Sequence, residues 1–409
     1  MKQTTTYRLK RLWLLVPGAL ALALTWLAQL SPTVTEMVYA RGIYPWLSSI
    51  WGFLPSLVSW SAAQWVVVAA LAFCAGWLVF YIVALVHGRG KRGLVLWKAL
   101  TTMAAAVSVG YCIFALMCGL NYYRLTFAED AGFELRESTT EELVALCENL
   151  ATSMNEEREA VASAVSLSHN GVIHNAENAV NGEVEGADES LPDSTLDNTD
   201  AYAAIPDEFA LAQGGFEAYA VQAVEDMRSL AEIYPVLSRP LYSPPKPVLF
   251  SETMSYLDIA GIYFPFTVES NINVDGPFFT IPATMGHELA HQCGFMREDE
   301  ANFIGYLSCK NAADPLTRYS GYSLAYDYAL SALIRTDREA AVAVNDTLSD
   351  AVRADQVARA EYLKQFEGPV AEASNAANNV YLKANQQTDG TRSYGRMVDL
   401  LLAEARQSD

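Results

Sequence analysis

The sequence predicts an α+β fold, mostly helical, in two parts. Residues 1–120 form a membrane anchor of three transmembrane helices, and residues 121–409 form an extracytoplasmic domain with a small edge-strand sheet. Three observations predict this. Fifty-two per cent of the 409 residues are hydrophobic while the formal net charge is −20, a pairing that suits a chain whose apolar and acidic parts are segregated. Three uncharged apolar runs, Leu12–Leu30, Trp65–Val86 and Ala99–Leu120, all precede residue 121. Beyond them helical patterning dominates, interrupted by a segment, Phe266–Val274, that alternates apolar and polar side chains. The same composition excludes a nucleic-acid-binding surface, which needs basic charge, and a wholly disordered chain, which would lack this apolar content. Six cysteines in this length exclude a disulfide-built scaffold.

Each apolar run matches the roughly 20 residues that a helix needs to cross a ~30 Å hydrocarbon layer. None shows a polar face at helical spacing, and Trp13, Trp26, Trp65, Trp97, Tyr122 and Tyr123 sit near the ends, as interfacial aromatics do. Lys2, Arg8, Lys10 and Arg11 precede the first run, and Arg89, Lys91, Arg92 and Lys98 flank the short loop before the third, whereas the loop between the first two carries only Arg41. The positive-inside rule then places the N-terminus in the cytoplasm and everything after Leu120 outside, in a multi-pass protein of the plasma membrane whose first partner is the lipid bilayer. A cleaved signal peptide is the alternative for the first run, but no A-x-A site follows it. The aromatic, proline-punctuated stretch Ile43–Trp60 is too broken for a span; it reads as an interfacial segment or a hydrophobic loop.

In the outer part, Thr139-x-x-Glu142 is a capping box that opens an amphipathic helix running to about Val165. Between Glu159 and Met227, 69 residues carry 14 acidic side chains and no Lys or Arg. The centre of that window, about 168–205, is expected to be a disordered acidic insertion, because it lacks the apolar surface to offset its ordering entropy. A calcium site on Asp188, Glu189, Asp193, Asp197 and Asp200 is the sharper alternative, without an EF-hand spacing to support it. A second helix is expected over Phe216–Tyr234, a proline-marked loop from Pro240, a short strand over Val248–Ser251, the alternating strand Phe266–Val274, and helices from Ile281 onward.

The chemistry concentrates at His287-Glu288-Leu289-Ala290-His291. On a helix this spacing puts two imidazoles one turn apart on one face, able to reach one zinc ion, with Glu288 beside them as the general base for a water. The chain has only five histidines, so chance makes a poor explanation. His87 flanks the basic loop, and His169 and His174 fall in the acidic insertion. A catalytic zinc normally takes three protein ligands and keeps an open position. The third ligand comes from Arg297-Glu298-Asp299-Glu300-Ala301-Asn302-Phe303: either Glu298, which shares a helical face with Asn302 and lets Asn302 orient a ligand, or Glu300. Gly294 is expected to break the chain between the two helices. Cys293 is expected to be a buried thiol or a disulfide partner of Cys309.

His-Glu-x-x-His followed by Glu-x-x-Ala-Asn resembles the gluzincins, more distantly the HtpX-type and CAAX prenyl proteases, whose later Glu-x-x-Ala-Asp supplies the third ligand. The resemblance maps that role onto Glu298, with Ala301 and Asn302 following; Asn replaces Asp, and the gap after His291 is shorter. The chain is also similar to an uncharacterised bacterial family of three-span membrane proteins with a zinc-peptidase-like domain. This similarity rests on Gly42-Ile43-Tyr44-Pro45, Gly119-Leu120-Asn121-Tyr122-Tyr123-Arg124, Tyr263 to Glu269, the two segments above and Arg318-Tyr319-Ser320-Gly321-Tyr322. In zinc peptidases of this kind an edge strand pairs with extended substrate. The resemblance gives that role to Phe266–Val274, with Thr267, Glu269 and Asn271 on its polar face. Tyr319 and Tyr322, and beside them Tyr326, are candidates to stabilise an oxyanion. The function expected is a membrane-anchored zinc metallopeptidase acting on an unknown peptide or protein of the envelope. The alternatives are a sensor with a metalloprotease-like domain and a non-catalytic zinc-stabilised assembly partner; nothing in the sequence fixes an oligomeric state.

Overall fold

The structure is a computed structural model that describes residues 10–88, 90–180, 206–385 and 396–408. Three of its helices are long and apolar enough to cross a membrane: Leu12–Leu30, Ala62–His87 and Arg92–Met117. The first begins as a 3₁₀ turn and continues as α1 (Val16–Leu30). Next come α2 (Tyr44–Ser56), α3 (Ala62–His87) and α4 (Arg92–Met117). α4 stops three residues before the expected end at Leu120, and a 3₁₀ turn over Gly119–Tyr123 leads into the outer domain. α1 lies against α4, where the Gly18 N–H donates to Ser108 Oγ at 2.8 Å, a small-residue contact of the kind that lets membrane helices approach closely.

The broken stretch after residue 43 is helical. Pro45 sits in the first turn of α2, where its missing N–H costs nothing. The helix is patterned inside out. It buries Tyr44, Ser48, Ser49 and Gly52 against the protein and exposes Trp46, Ile50, Phe53 and Leu54. Only an apolar surrounding favours that arrangement, so its outward face is built for lipid.

The part that follows α4 is a helical assembly around a three-stranded sheet. α5 (Thr140–Val180) opens with the expected box: Glu142 N–H donates to Thr139 Oγ1, and Thr139 N–H donates back to Glu142 Oε2. It runs past Val165 into the first part of the segment expected to be disordered; the rest of that segment, with the acidic residues weighed for calcium, lies outside the described residues. α6 (Gly215–Ile233) agrees with expectation to one residue at each end. The sheet comprises β1 (Lys246–Pro247), β2 (Gly261–Phe264) and β3 (Glu269–Ile272) in the order β1-β3-β2, with β1 parallel and β2 antiparallel to β3. The strand expected over Val248–Ser251 is thus displaced to Lys246–Pro247, and Ser251 starts a short helix instead.

Helices α7 (Ile281–Gln292) and α8 (Glu298–Lys310) form a tight hairpin. Gly294, at φ +89°, ends the first. They approach so closely that a Cβ on Gly305 would lie 2.9 Å from the His287 nitrogen. α9 (Pro315–Thr336), α10 (Arg338–Asn345), α11 (Asp350–Lys364), α12 (Pro369–Ala384) and α13 (Arg396–Ser408) complete the domain. A single apolar core gathers residues from α5 through α9 and α13, with Met285, Leu289, Phe303 and Leu333 fully buried.

Candidate metal centre

The two histidines reach the same point because α7 is regular and buried on its inward face. His287 and His291 meet edge to face one turn apart, ring centroids 4.6 Å from each other. α8 returns antiparallel and brings Glu298, in its first turn, to face them. Glu298 Oε2 lies 3.4 Å from His287 Nε2, and Oε1 lies 3.8 Å from His291 Nε2. One ligand atom from each residue falls within 4.8 Å of the others, a donor set that could hold a metal ion. Each imidazole is oriented through its other nitrogen. His287 Nδ1 donates to Asn302 Oδ1 at 2.8 Å and His291 Nδ1 to the Phe295 carbonyl at 2.7 Å, which turns both Nε2 lone pairs inward. Asn302 is in turn fixed by donating from Nδ2 to Tyr328 Oη at 3.1 Å. Glu300 faces away, its Oε1 accepting from the Phe127 N–H and from Arg297. Of the two carboxylates left open by the sequence, Glu298 is the one beside the histidines.

Glu288 is buried beside this group. Its Oε1 is 4.0 Å from His287 Nε2, and its Oε2 is buried without a hydrogen-bond partner among the described residues. Burial pushes the Glu288 carboxyl up to about 8. Burial also pulls the His287 imidazole down, but its hydrogen bond to Glu298 and that carboxylate's charge outweigh it and carry it up to about 9. His291, which lacks such a bond, is pushed down by burial to about 4. Against its own burial, Glu298 is held below the usual carboxylate range by His287 and His291. His287 and Glu298 thus share a proton of the kind that a divalent cation displaces. The donor chemistry fits such an ion: two oriented imidazoles, one carboxylate and a buried carboxyl beside them.

The group lines a cavity of about 1280 Å³ walled by α7, the β2 strand, the end of α4, and α9, α11 and α12. Strand β2 runs directly over Glu288: a Cβ on Gly261 would lie 2.6 Å from Glu288 Oε1, so the position requires glycine. The strand expected at the edge is corrected here. Thr267 precedes β3, and Glu269 and Asn271 lie within it; β3 is the central strand, paired on both sides, and all three residues are buried. Their polar face docks the membrane anchor. Glu269 accepts from the N–H groups of Ala62 and Ala63 at the start of α3 and pairs with buried Lys246 at 2.5 Å, while Ser61 Oγ donates to Asn271. The free edge belongs to β2, which the sequence reading missed because Gly261–Phe264 is too short to display alternation.

The tyrosine expectation is corrected as well. Tyr319 is fully buried and donates to Asp355 Oδ2 at 2.9 Å, Tyr322 packs on Tyr306, and Tyr326 is buried in the core. Tyr328, two residues beyond Tyr326, is the one that reaches the site; a helical-wheel reading of α9 from Ser320 and Leu324, which also line the cavity, would have found it. Cys293 and Cys309 are free and lie at opposite ends of the α7–α8 hairpin, so no disulfide joins them.

The end of α7 is held by Tyr44 of the N-terminal part and by two arginines. Tyr44 Oη donates to the Gln292 carbonyl at 3.1 Å, Arg124 Nη1 donates to the Cys293 carbonyl at 3.2 Å, and Arg239 donates to the Gln292 carbonyl. Arg124 is itself fixed by a two-pronged pair with buried Glu36, at 2.7 and 2.8 Å. A sequence family described as "Protein of unknown function (DUF3810)" matches residues 39–402, a span that starts just before Tyr44 and includes the whole site. No curated protein and no solved structure matches the chain.

Proposed function

We propose that this chain, which belongs to the DUF3810 family, is a membrane-anchored zinc metallopeptidase. One observation carries the reading. Glu298 joins His287 and His291 at one point, and buried Glu288, one of whose oxygens has no hydrogen-bond partner among the described residues, stands beside them under the edge strand β2. A zinc ion bound there supplies a Lewis acid that makes water a usable nucleophile near neutral pH and polarises a peptide carbonyl. His287, His291 and Glu298 would hold it, with Asn302 and the Phe295 carbonyl fixing the rings. Glu288 accepts the proton of the attacking water and passes it to the leaving amine as the C–N bond breaks. A purely structural site would have no use for that carboxylate. The basic residues around the spans support an N-terminus in the cytoplasm and a site on the outer side.

The purified full-length chain should hold close to one zinc, and His287→Ala should lose it. Glu288→Gln should keep the metal and abolish cleavage. Comparing new N-termini in the envelopes of cells carrying wild type or Glu288→Gln reads the activity directly. A wild-type chain that binds no zinc, or identical sets of N-termini, would refute the proposal.

A further inference from the structure

The cavity wall includes an aromatic group: Phe114, near the end of the apolar helix α4, Phe264, the last residue of β2, and Phe266 in the turn after it. The Phe264 and Phe266 rings lie 5.3 Å apart. Phe266 lies beside Gly110 of α4, where a Cβ would be 4.0 Å from its ring. Gly110 lies seven residues before the end of α4 at Met117, about 10 Å along the axis. Counted outward from Lys98, the last basic residue on α4, the ~20 residues that cross a hydrocarbon layer extend to Cys118. The 264–266 turn therefore sits level with the outer part of that layer.

The turn is fixed there by the lipid-facing helix. Trp51 of α2 donates from Nε1 to the Phe266 carbonyl at 2.8 Å. Val268 holds φ at +56°, a strained value for a β-branched residue, and packs on Gly52 of α2. β2 passes over Glu288 as an edge strand of the sheet, with the Tyr263 backbone N–H turned toward the Glu288 carboxyl. Ala260 O accepts from Asn273 N–H in the β3 ladder, so alternation turns the backbone of Gly261 and Tyr263 outward.

Resting on the peptidase reading, we propose that the cleft is loaded from the bilayer: its substrate is the polar segment lying just outside a membrane-embedded apolar segment of the same polypeptide. The polar segment adds to the β2 edge, and the apolar one stays against Phe114, Phe264 and Phe266. Backbone pairing on β2 tolerates many sequences, so selection comes from position relative to the membrane, and the shared bilayer raises the effective concentration of such chains.

The test uses the zinc-loaded full-length chain in phosphatidylethanolamine–phosphatidylglycerol vesicles. Lipids with a photoreactive group on the acyl chain should label Phe264 and Phe266, as well as the three spans; labelling confined to the spans overturns the inference and leaves the peptidase reading intact. A library of randomised polar peptides is then offered in two forms, fused to one apolar span in the same vesicles or free in solution. The anchored form should be cut roughly tenfold faster or more. Cuts should fall within about six residues of the span, the reach of one extended segment along β2. Equal rates for both forms overturn the inference alone. Cutting of neither form overturns the peptidase reading and the inference with it. Glu288→Gln should cut neither while keeping the lipid labelling of the wild type.

Discussion

His287 and Glu298 meet because each is held from behind. Asn302 accepts from His287 Nδ1, and its own amide is pinned by Tyr328. Asn302→Ala should lower metal affinity about 10- to 100-fold while leaving the fold intact, measured by competition with a chelating dye. Glu300→Gln should leave affinity unchanged, because Glu300 serves the Phe127 N–H and Arg297; equal loss from both variants would contradict these separate roles. Away from the site, burial raises the Asp226 carboxyl to about 6, against 3.8 for an ordinary one. The unfolded chain therefore releases this proton first. Stability from the group is whole below pH 3.8 and is lost as pH rises through 6. Asp226→Asn should melt increasingly above the wild type from pH 4 to about pH 6 and by a steady margin beyond; a difference constant from pH 4 upward would show that Asp226 does not titrate this way. At this scale the sequence was explicit about the two histidines, since their spacing on one helix fixes its own geometry. It was silent about Tyr328, whose role depends on which face of α9 turns toward α8.

Among elements, strand β3 departs most from its sequence reading. Thr267, Glu269 and Asn271 form the polar face of an alternating segment, and alternation shows that one face is polar without showing what it meets. Here it meets the N-terminus of a membrane helix. Glu269 caps α3 through two N–H groups and pairs with Lys246, both side chains fully buried. Glu269→Ala strands the ammonium of Lys246 and the start of α3, and should cost about 3–5 kcal/mol of stability. The loss would appear as a lowered melting temperature in detergent, with zinc stoichiometry unchanged in the folded fraction. Weakened substrate binding without a stability loss would restore the substrate-strand reading. Helix α2 shows the converse case: its prolines read as breaks, yet one is tolerated in the first turn, and its apolar face turns outward.

In the whole molecule, the anchor and the outer domain form one mechanical unit. Tyr44 and Arg124 donate to the last carbonyls of α7, and Arg124 carries buried Glu36 with it. A fragment comprising residues 125–409 lacks these donors. It should bind zinc far more weakly than the full chain and melt without a cooperative transition, read by calorimetry and metal titration. A fragment that binds as tightly as the full chain would show the coupling to be dispensable. Arg124→Ala in the full chain should cost about 3–5 kcal/mol, because it leaves Glu36 buried without its bidentate partner.

The sequence alone determined the three apolar helices, the capped helix that opens the outer domain and the paired histidines, because each is written in residues close together in the chain. Tertiary structure decided the rest: which of Glu298 and Glu300 faces the histidines, which strand lies at the edge of the sheet, and which residues wall the cleft. Those outcomes depend on contacts between segments far apart in sequence, Tyr44 with Gln292 and Gly110 with Phe266 among them, and local periodicity carries no information about such pairings.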